Sequence, residues 1–277
     1  MKHLRSKILA LLVAVSLIGA FVVATDALAG KTITIKGSTT VLPIAQVCAE
    51  EYMRKNPSAY ISVQGGGSGV GIAGIVDGTC DIGDASRPIK DKELEQAVSR
   101  GVSPKAHVVA MDGIAVVVHP SNSVSAFTKQ QIKDIYTGKV SNWSEVGGSG
   151  GEIVVISRDS ASGTFEAFNG LALDKEKVRP DALLEASNQA VAGTVAKTPG
   201  AIGYIGLGYV TYQVKAIPVN GIECTKETVL SGKYPFARPL FMYTNGKPTG
   251  EVEGFLNFVL SDSGQDLVED AGFVGLQ

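Results

Sequence analysis

An α/β fold is predicted by three features of the chain. Short runs of β-branched and aliphatic residues alternate with longer stretches of helical character. Glycines are enriched, 33 in 277 residues (about 12% against a usual ~7%), and they gather where apolar runs end and the backbone must turn. The length suits one large or two modest domains able to bury a core.

The first 29 residues read as an export signal and not as part of that fold. Lys2, Arg5 and Lys7 make a positive start, an apolar run follows from Ile8 to about Ala24, and Ala27-Leu28-Ala29 supplies a small-x-small cleavage pattern. The run is short for a retained anchor, and Thr25-Asp26 flanks it. Cleavage after Ala29 removes three basic residues and one acidic one. The net charge then moves from −2 to about −4.

The elements follow in order. Thr32-Ile33-Thr34-Ile35 alternates with period two, and Val41 to Arg54 reads as a helix stopped by Asn56-Pro57. Tyr60 to Val63 is a second strand, Val70 to Val76 a short helix, and Cys80 to Gly83 a third strand. Asp91 to Arg100 is a charged helix ended by Gly101, and His107 to His119 forms one or two strands around Val116-Val117-Val118. Thr128-x-x-Gln131 is a capping box for a helix ending near Gly138. Ile153 to Ile156 is a buried strand, preceded by a Gly-rich loop tip at 147–151. Helices are expected from Thr164 and from Asn188 to Lys197, strands at 201–205 and 214–219, and then a strand at Pro239–Tyr243 and a helix at Glu251–Leu260.

Composition excludes several functions. An acidic chain without a basic block does not suit a phosphate backbone, and few aromatics leave no stacking platform for single strands. His107 and His119 lie in apolar runs and read as structural, and Cys48, Cys80 and Cys224 lack metal-ligand spacing. Neither a metal nor a cofactor is expected.

What recurs is a junction: an apolar strand, then Gly with small hydroxyl residues, then a helix. It occurs at Gly37-Ser38-Thr39-Thr40, at Gly65-Gly66-Gly67-Ser68-Gly69, at Gly83-Asp84-Ala85-Ser86-Arg87, and at Arg158-Asp159-Ser160-Ala161-Ser162-Gly163-Thr164. A helix start carries unpaired N–H groups and the positive end of the dipole. Glycine lets a guest approach, and hydroxyls add donors, so such junctions bind tetrahedral oxyanions. N-capping explains any one junction; four together, two of them carrying Arg87 or Arg158, point to an anion.

These motifs resemble those of the substrate-binding proteins of bacterial phosphate ABC transporters, shorter branch, over essentially the whole chain after residue 29. Matching stretches include Lys36–Pro43, Gln64–Gly71, Asp81–Pro88, Arg158–Thr164, Pro199–Tyr204 and Ser231–Pro235. The resemblance implies a type II periplasmic-binding-protein fold, with two α/β lobes joined by two crossover segments around a ligand cleft. Lobe 1 is placed at about 30–117 plus 235–277 and lobe 2 at about 118–234. It implies a phosphate site of Ser38, Thr39, Thr40, Ser68, Gly69, Ser86, Arg87, Arg158, Ser162, Gly163 and Thr164, closed by hinge motion. It also implies a monomer in the periplasm that hands inorganic phosphate to membrane permease subunits. Cys48 and Cys80, both in lobe 1 near ends of elements expected to be adjacent, are the expected disulfide, with Cys224 free.

One position departs from the pattern. Longer members carry a carboxylate where Ser86 stands, and it accepts the proton that distinguishes hydrogen phosphate from sulfate. Asp84, Asp159 and Ser86 itself remain the candidates for that acceptor. Binding of sulfate, molybdate or tungstate is the alternative function. A phosphoester hydrolase is a weaker one: Gly147-x-Ser149-x-Gly151 precedes a strand where a nucleophile elbow follows one, and no Walker A lysine follows Gly65–Gly69.

Overall fold

The computed structural model describes residues 32–276, so the expected export signal lies outside the described residues. Strand β1 (Ile33–Gly37) buries Ile33 and Ile35 on one face, as its alternation requires. Its chain runs on through the helix α1 (Leu42–Lys55), strand β2 (Ile61–Gly65), helix α2 (Ser68–Val76), strand β3 (Ile82–Ala85) and helix α3 (Asp91–Ser99). β1 pairs in parallel with both β2 and β3. All three strands therefore end, with their following loops, along one edge of the sheet.

Strand β4 (Pro104–Val118) is a single 15-residue strand with a bulge between Val108 and Ala110. Helix α4 (Lys129–Thr137) opens on the expected capping box. Gln131 N–H donates to Thr128 Oγ1 at 3.1 Å, Thr128 N–H returns to Gln131 Oε1 at 2.8 Å, and Gly138 closes the helix at φ 83°. Strand β5 (Val154–Arg158), helix α5 (Gly163–Ala172), strand β6 (Leu183–Glu185), helix α6 (Asn188–Lys197) and strand β7 (Ala201–Gly206) repeat the parallel pattern, with β5 between β6 and β7. Strand β8 (Lys215–Ile217), helix α7 (Lys226–Leu230), strand β9 (Ala237–Asn245), helix α8 (Gly250–Val259) and helix α9 (Asp262–Asp270) complete the described chain.

The sheet order is β2-β1-β3-β9-β4-β7-β5-β6, with β8 also on β4. β4 changes partner along its length. Residues 104–113 pair antiparallel with β9, and Ile114–Val118 then pair with β7. One core gathers Ile35, Ile44, Ile82, Met242 and Phe255 under α1, α8 and α9. A second gathers Ile114, Val116, Phe168, Tyr204 and Phe236. β4 and β9 thus join two packed bodies. Among the described residues no helix is long and apolar enough to cross a membrane.

Three elements were not expected: β6, α7 and α9. β6 is three residues long with Leu183 and Leu184 exposed, and α7 is five residues, so neither carries a usable period. In α9 a polar sequence docks through few buried residues, Val268 and Gln265 among them. The expected Cys48–Cys80 disulfide is corrected: all three cysteines are free. Cys48 points into the α1–α9 core, its Sγ 4.0 Å from Gly264 O. Cys80 packs in a separate cluster with α2, its Sγ 3.8 Å from Gly71 O. Burial pushes both thiols up to about 12, so both stay protonated and inert.

Candidate functional site

The loops after β1, β3 and β5 and the starts of α1, α2 and α5 meet where the two bodies face each other. Ligands of open parallel sheets bind outside the carboxyl ends of the strands, and these junctions occupy that place. Ser38, Thr39, Thr40, Ser68, Ser86, Arg158, Ser162 and Thr164 are all buried there. Gly163 belongs to the same wall because nothing larger fits. A Cβ on it would collide with Ser68 Oγ and crowd Ser86 Oγ from the opposite body. Gly67, at φ 97°, takes a conformation that residues with a Cβ rarely adopt and abuts the Ala161 carbonyl.

Arg158 ends β5 and is 2% exposed. Its backbone N–H donates to Tyr204 Oη at 3.1 Å, and the Tyr204 ring stacks on Phe168 at 4.0 Å, which holds the strand end rigid. Its Nε donates to Glu185 O at 2.9 Å and its Nη2 to Ala186 O at 3.0 Å, so neutral carbonyls orient the fork. Nη1 is buried and has no protein partner. Among the described residues no carboxylate forms an ion pair with it. Burial lowers the pKa of this group, with weaker opposition from Tyr204 and Asp159. The site therefore holds a desolvated positive charge that lacks a counter-ion, a costly arrangement unless an anion arrives.

Three further residues complete the wall, and the motif reading missed them. Arg238 on β9 lies opposite Asp112 on β4. Its Nε and Nη2 donate to Asp112 Oδ2 at 3.0 and 2.8 Å. Nη1 reaches Ser86 O at 3.0 Å, while Nη2 also approaches Thr164 Oγ1 at 3.0 Å and Thr40 Oγ1 at 3.3 Å. Asp112 Oδ1 accepts from Leu207 N–H at 2.9 Å. Burial pushes the Asp112 carboxyl above its ordinary range, against the pull of Arg238 and of the Leu207 and Gly113 amides. Asn188, at the start of α6, donates to Thr39 Oγ1 at 3.1 Å and Thr40 Oγ1 at 3.0 Å. A signal for the ion pair exists in the sequence. Each partner is a lone charge inside an apolar strand, and such charges are paired when buried.

Two expected site residues are engaged elsewhere. Arg87 turns away from the cluster. Its Nη1 and Nη2 donate to Glu93 at 2.8 and 2.7 Å, and its Nε pairs with Glu166 at 2.8 Å. Lys90 joins Glu166 as well. The expectation that Arg87 faces the anion is thereby corrected to a rim network. The Gly69 N–H donates to Ala161 O across the seam at 2.9 Å. Of the candidate acceptors, Asp159 caps its own loop, accepting from Ala161 N–H at 2.8 Å. Asp84 is fully buried with Oδ1 unpaired; burial alone pushes its carboxyl well above the usual range, and no cation draws it back.

A PBP superfamily domain matches residues 22–263. The phosphate-binding protein PstS of Bacillus subtilis (strain 168) is 35% identical over 251 residues, covering 89% of this chain and 81% of that protein. PstS of Borreliella burgdorferi is 34% identical, covering 89% and 91%. The chain belongs to this phosphate-binding-protein family. A substrate-binding protein from Clostridium perfringens solved with bound phosphate has a TM-score of 0.84 at 36% identity, covering 89% of this chain and 100% of that one. The ABC-type phosphate transport receptor of Vibrio cholerae has a TM-score of 0.73 at 32% identity, covering 87% and 99%.

The family's two-lobe periplasmic-binding-protein fold accounts for the two bodies joined by β4 and β9. The lobes are in contact. Thr40 Oγ1 meets Thr164 Oγ1 at 2.9 Å, Arg158 Nη2 reaches Thr39 Oγ1 at 3.4 Å, and Tyr209 Oη donates to Thr39 O.

Proposed function

We propose that this protein captures inorganic phosphate outside the cytoplasmic membrane and delivers it, as a monomer, to the permease of an ABC transporter. Residues 1–29 serve as the cleaved export signal. The lobes divide at about 30–117 plus 235–277 and 118–234, a few residues from where β4 and β9 change bodies. No bond is made or broken.

This reading rests on the buried, unpaired Arg158 guanidinium in a ring of hydroxyls. Arg158 Nη1 neutralises the anion. Ser38, Thr39, Ser68, Ser162, Gly163 and Thr164 replace its water, with Ser86 beside them. The hydroxyl of Thr40, Asn188 and the Asp112–Arg238 pair hold these groups in place. The family relationship supports phosphate as the guest.

Calorimetric titration with phosphate, sulfate and molybdate tests it. Phosphate is expected to bind tightest. Arg158→Ala is expected to weaken that binding by ~3–5 kcal/mol, as removal of one partner of a buried charge pair does. An unchanged dissociation constant in the variant would overturn the site assignment.

A further inference from the structure

The chain entering α1 is already helical in its hydrogen bonding. Ser38 O accepts from Leu42 N–H at 3.0 Å and Val41 O from Ala45 N–H at 2.9 Å, each four residues on. Thr39 O lies between them in that series, and the donor that the pattern assigns to it is the N–H of residue 43. Residue 43 is proline and has none. The sequence thus leaves one carbonyl of the first anion junction without its helical partner. Thr39 is 7% exposed, and a buried carbonyl left unpaired is costly.

The donor comes from the other lobe. Tyr209 Oη donates to Thr39 O. Tyr209 closes a single 3-10 turn, Leu207–Tyr209, that follows β7. The turn is fixed at each of its three residues. Leu207 N–H donates to Asp112 Oδ1 at 2.9 Å. Gly208 lies against the C-terminal segment of lobe 1, where a Cβ would stand 2.5 Å from Phe273 Cε2 and 2.8 Å from Ala271 O. Phe273 is itself buried in the lobe 1 core. The Tyr209 ring packs against the cores of both lobes. Burial pushes its phenol up to about 12, so the hydroxyl keeps the proton it donates.

We infer that Tyr209 is a positioning residue for the anion site: its hydroxyl supplies the donor that Pro43 withholds from Thr39 O, and it does so when the lobes meet. The inference rests on the phosphate reading above and adds a residue that fixes the β1–α1 junction in the closed form. The Thr39 hydroxyl accepts from Asn188 Nδ2 at 3.1 Å and Arg158 Nη2 at 3.4 Å, both of the opposing lobe. The carbonyl bond therefore steadies the residue whose side chain stands beside the anion. Rotation of the lobes about β4 and β9 draws Tyr209 away from Thr39, and water takes the carbonyl. Closure expels that water, and Tyr209 replaces it. The residue thus favours the closed form and slows release, and it takes no part in the first encounter with the anion.

Stopped-flow kinetics and calorimetry with inorganic phosphate test this on the unaltered protein, Tyr209→Phe, Pro43→Ala and the double variant. Tyr209→Phe removes one oxygen and keeps the ring in both cores. It is expected to weaken phosphate binding about tenfold, as a buried acceptor left unpaired does, nearly all of it as faster dissociation. Pro43→Ala restores an N–H four residues after Thr39, so adding Tyr209→Phe to it is expected to cost less than about threefold. The phosphate-free melting temperature of Tyr209→Phe is expected to stay within about 2 °C of that of the unaltered protein. Equal losses from Tyr209→Phe in the two backgrounds would overturn the inference, as would an unchanged affinity or a loss carried by slower association. A Tyr209→Phe protein that fails to fold, or whose phosphate-free form is destabilised as much as binding is weakened, would make the residue structural and overturn it too. If the unaltered protein binds no phosphate, the phosphate reading fails first and takes this inference with it.

Discussion

Two sets of polar contacts join the lobes, and they obey different physics. At the floor, Asp112, Arg238, Asn188, Thr40 and Thr164 are all buried, and every contact is short and directional. At the rim, Arg87, Lys90, Glu93 and Glu166 form ion pairs whose carboxylates are partly solvated. In a low-dielectric interior a polar group must be satisfied or it costs several kcal/mol, so the floor dictates one arrangement. At the rim water competes for every partner, so those charges add a modest, salt-sensitive bias towards contact. The floor fixes one arrangement of the groups behind the hydroxyl ring, and the rim adds a bias towards contact that salt weakens.

The contrast can be broken most sharply at Asp112. Asp112→Asn leaves the Arg238 cation buried without its counter-charge, and the stability lost is expected to be ~3–5 kcal/mol by denaturant unfolding. A loss below about 1 kcal/mol would mean that the floor is no more demanding than the edge.

A smaller effect is expected at Asp84, a buried acid that belongs to neither set. Its raised pKa means that the native state keeps a proton the unfolded chain releases, so stability drains away as pH climbs above the ordinary aspartate value of about 4. Asp84→Asn is freed from this. Its advantage in melting temperature over the unaltered protein is expected to grow from pH 4 to pH 8, reaching ~2–4 °C. A constant offset across that range would contradict the linkage.

The smallest effect belongs to the rim. Glu166→Gln removes one of the two carboxylates on Arg87 and leaves Glu93 in place. Phosphate binding is expected to weaken by ~0.5–1 kcal/mol at low salt, mainly through faster release, and the difference is expected to vanish near about 1 M salt. Persistence of the difference at high salt would erase the distinction drawn between the two sets.

Much of this architecture was legible because alternation and capping are local. β1, β5, α1, α4 and α6 follow from period, proline stops and cap residues within a few positions of one another. α9 was not legible, since its buried face is narrow and its docking depends on α1, about 200 residues away in sequence, as well as on the neighbouring α8. In the site, Arg158 and the Ser162-Gly163-Thr164 turn were readable as a motif. Asp112 and Arg238 each stand out as a charge in an apolar run, but their pairing, and the reach of Asn188 to Thr39 and Thr40, join segments more than 100 residues apart. Arg87 was misread for a simple reason. Its partners, Glu93 and Glu166, lie outside the motif that contains it, and Glu166 comes from the other lobe.

The register of β4 against β9 places Asp112 directly across from Arg238 on the two segments that carry the chain from one lobe to the other. The axle of the molecule and the back of its anion chamber are therefore the same few atoms. Any shift of Thr164 is felt, through one guanidinium, at the pivot itself, so the proposed site and the posture of the lobes need no relay between them.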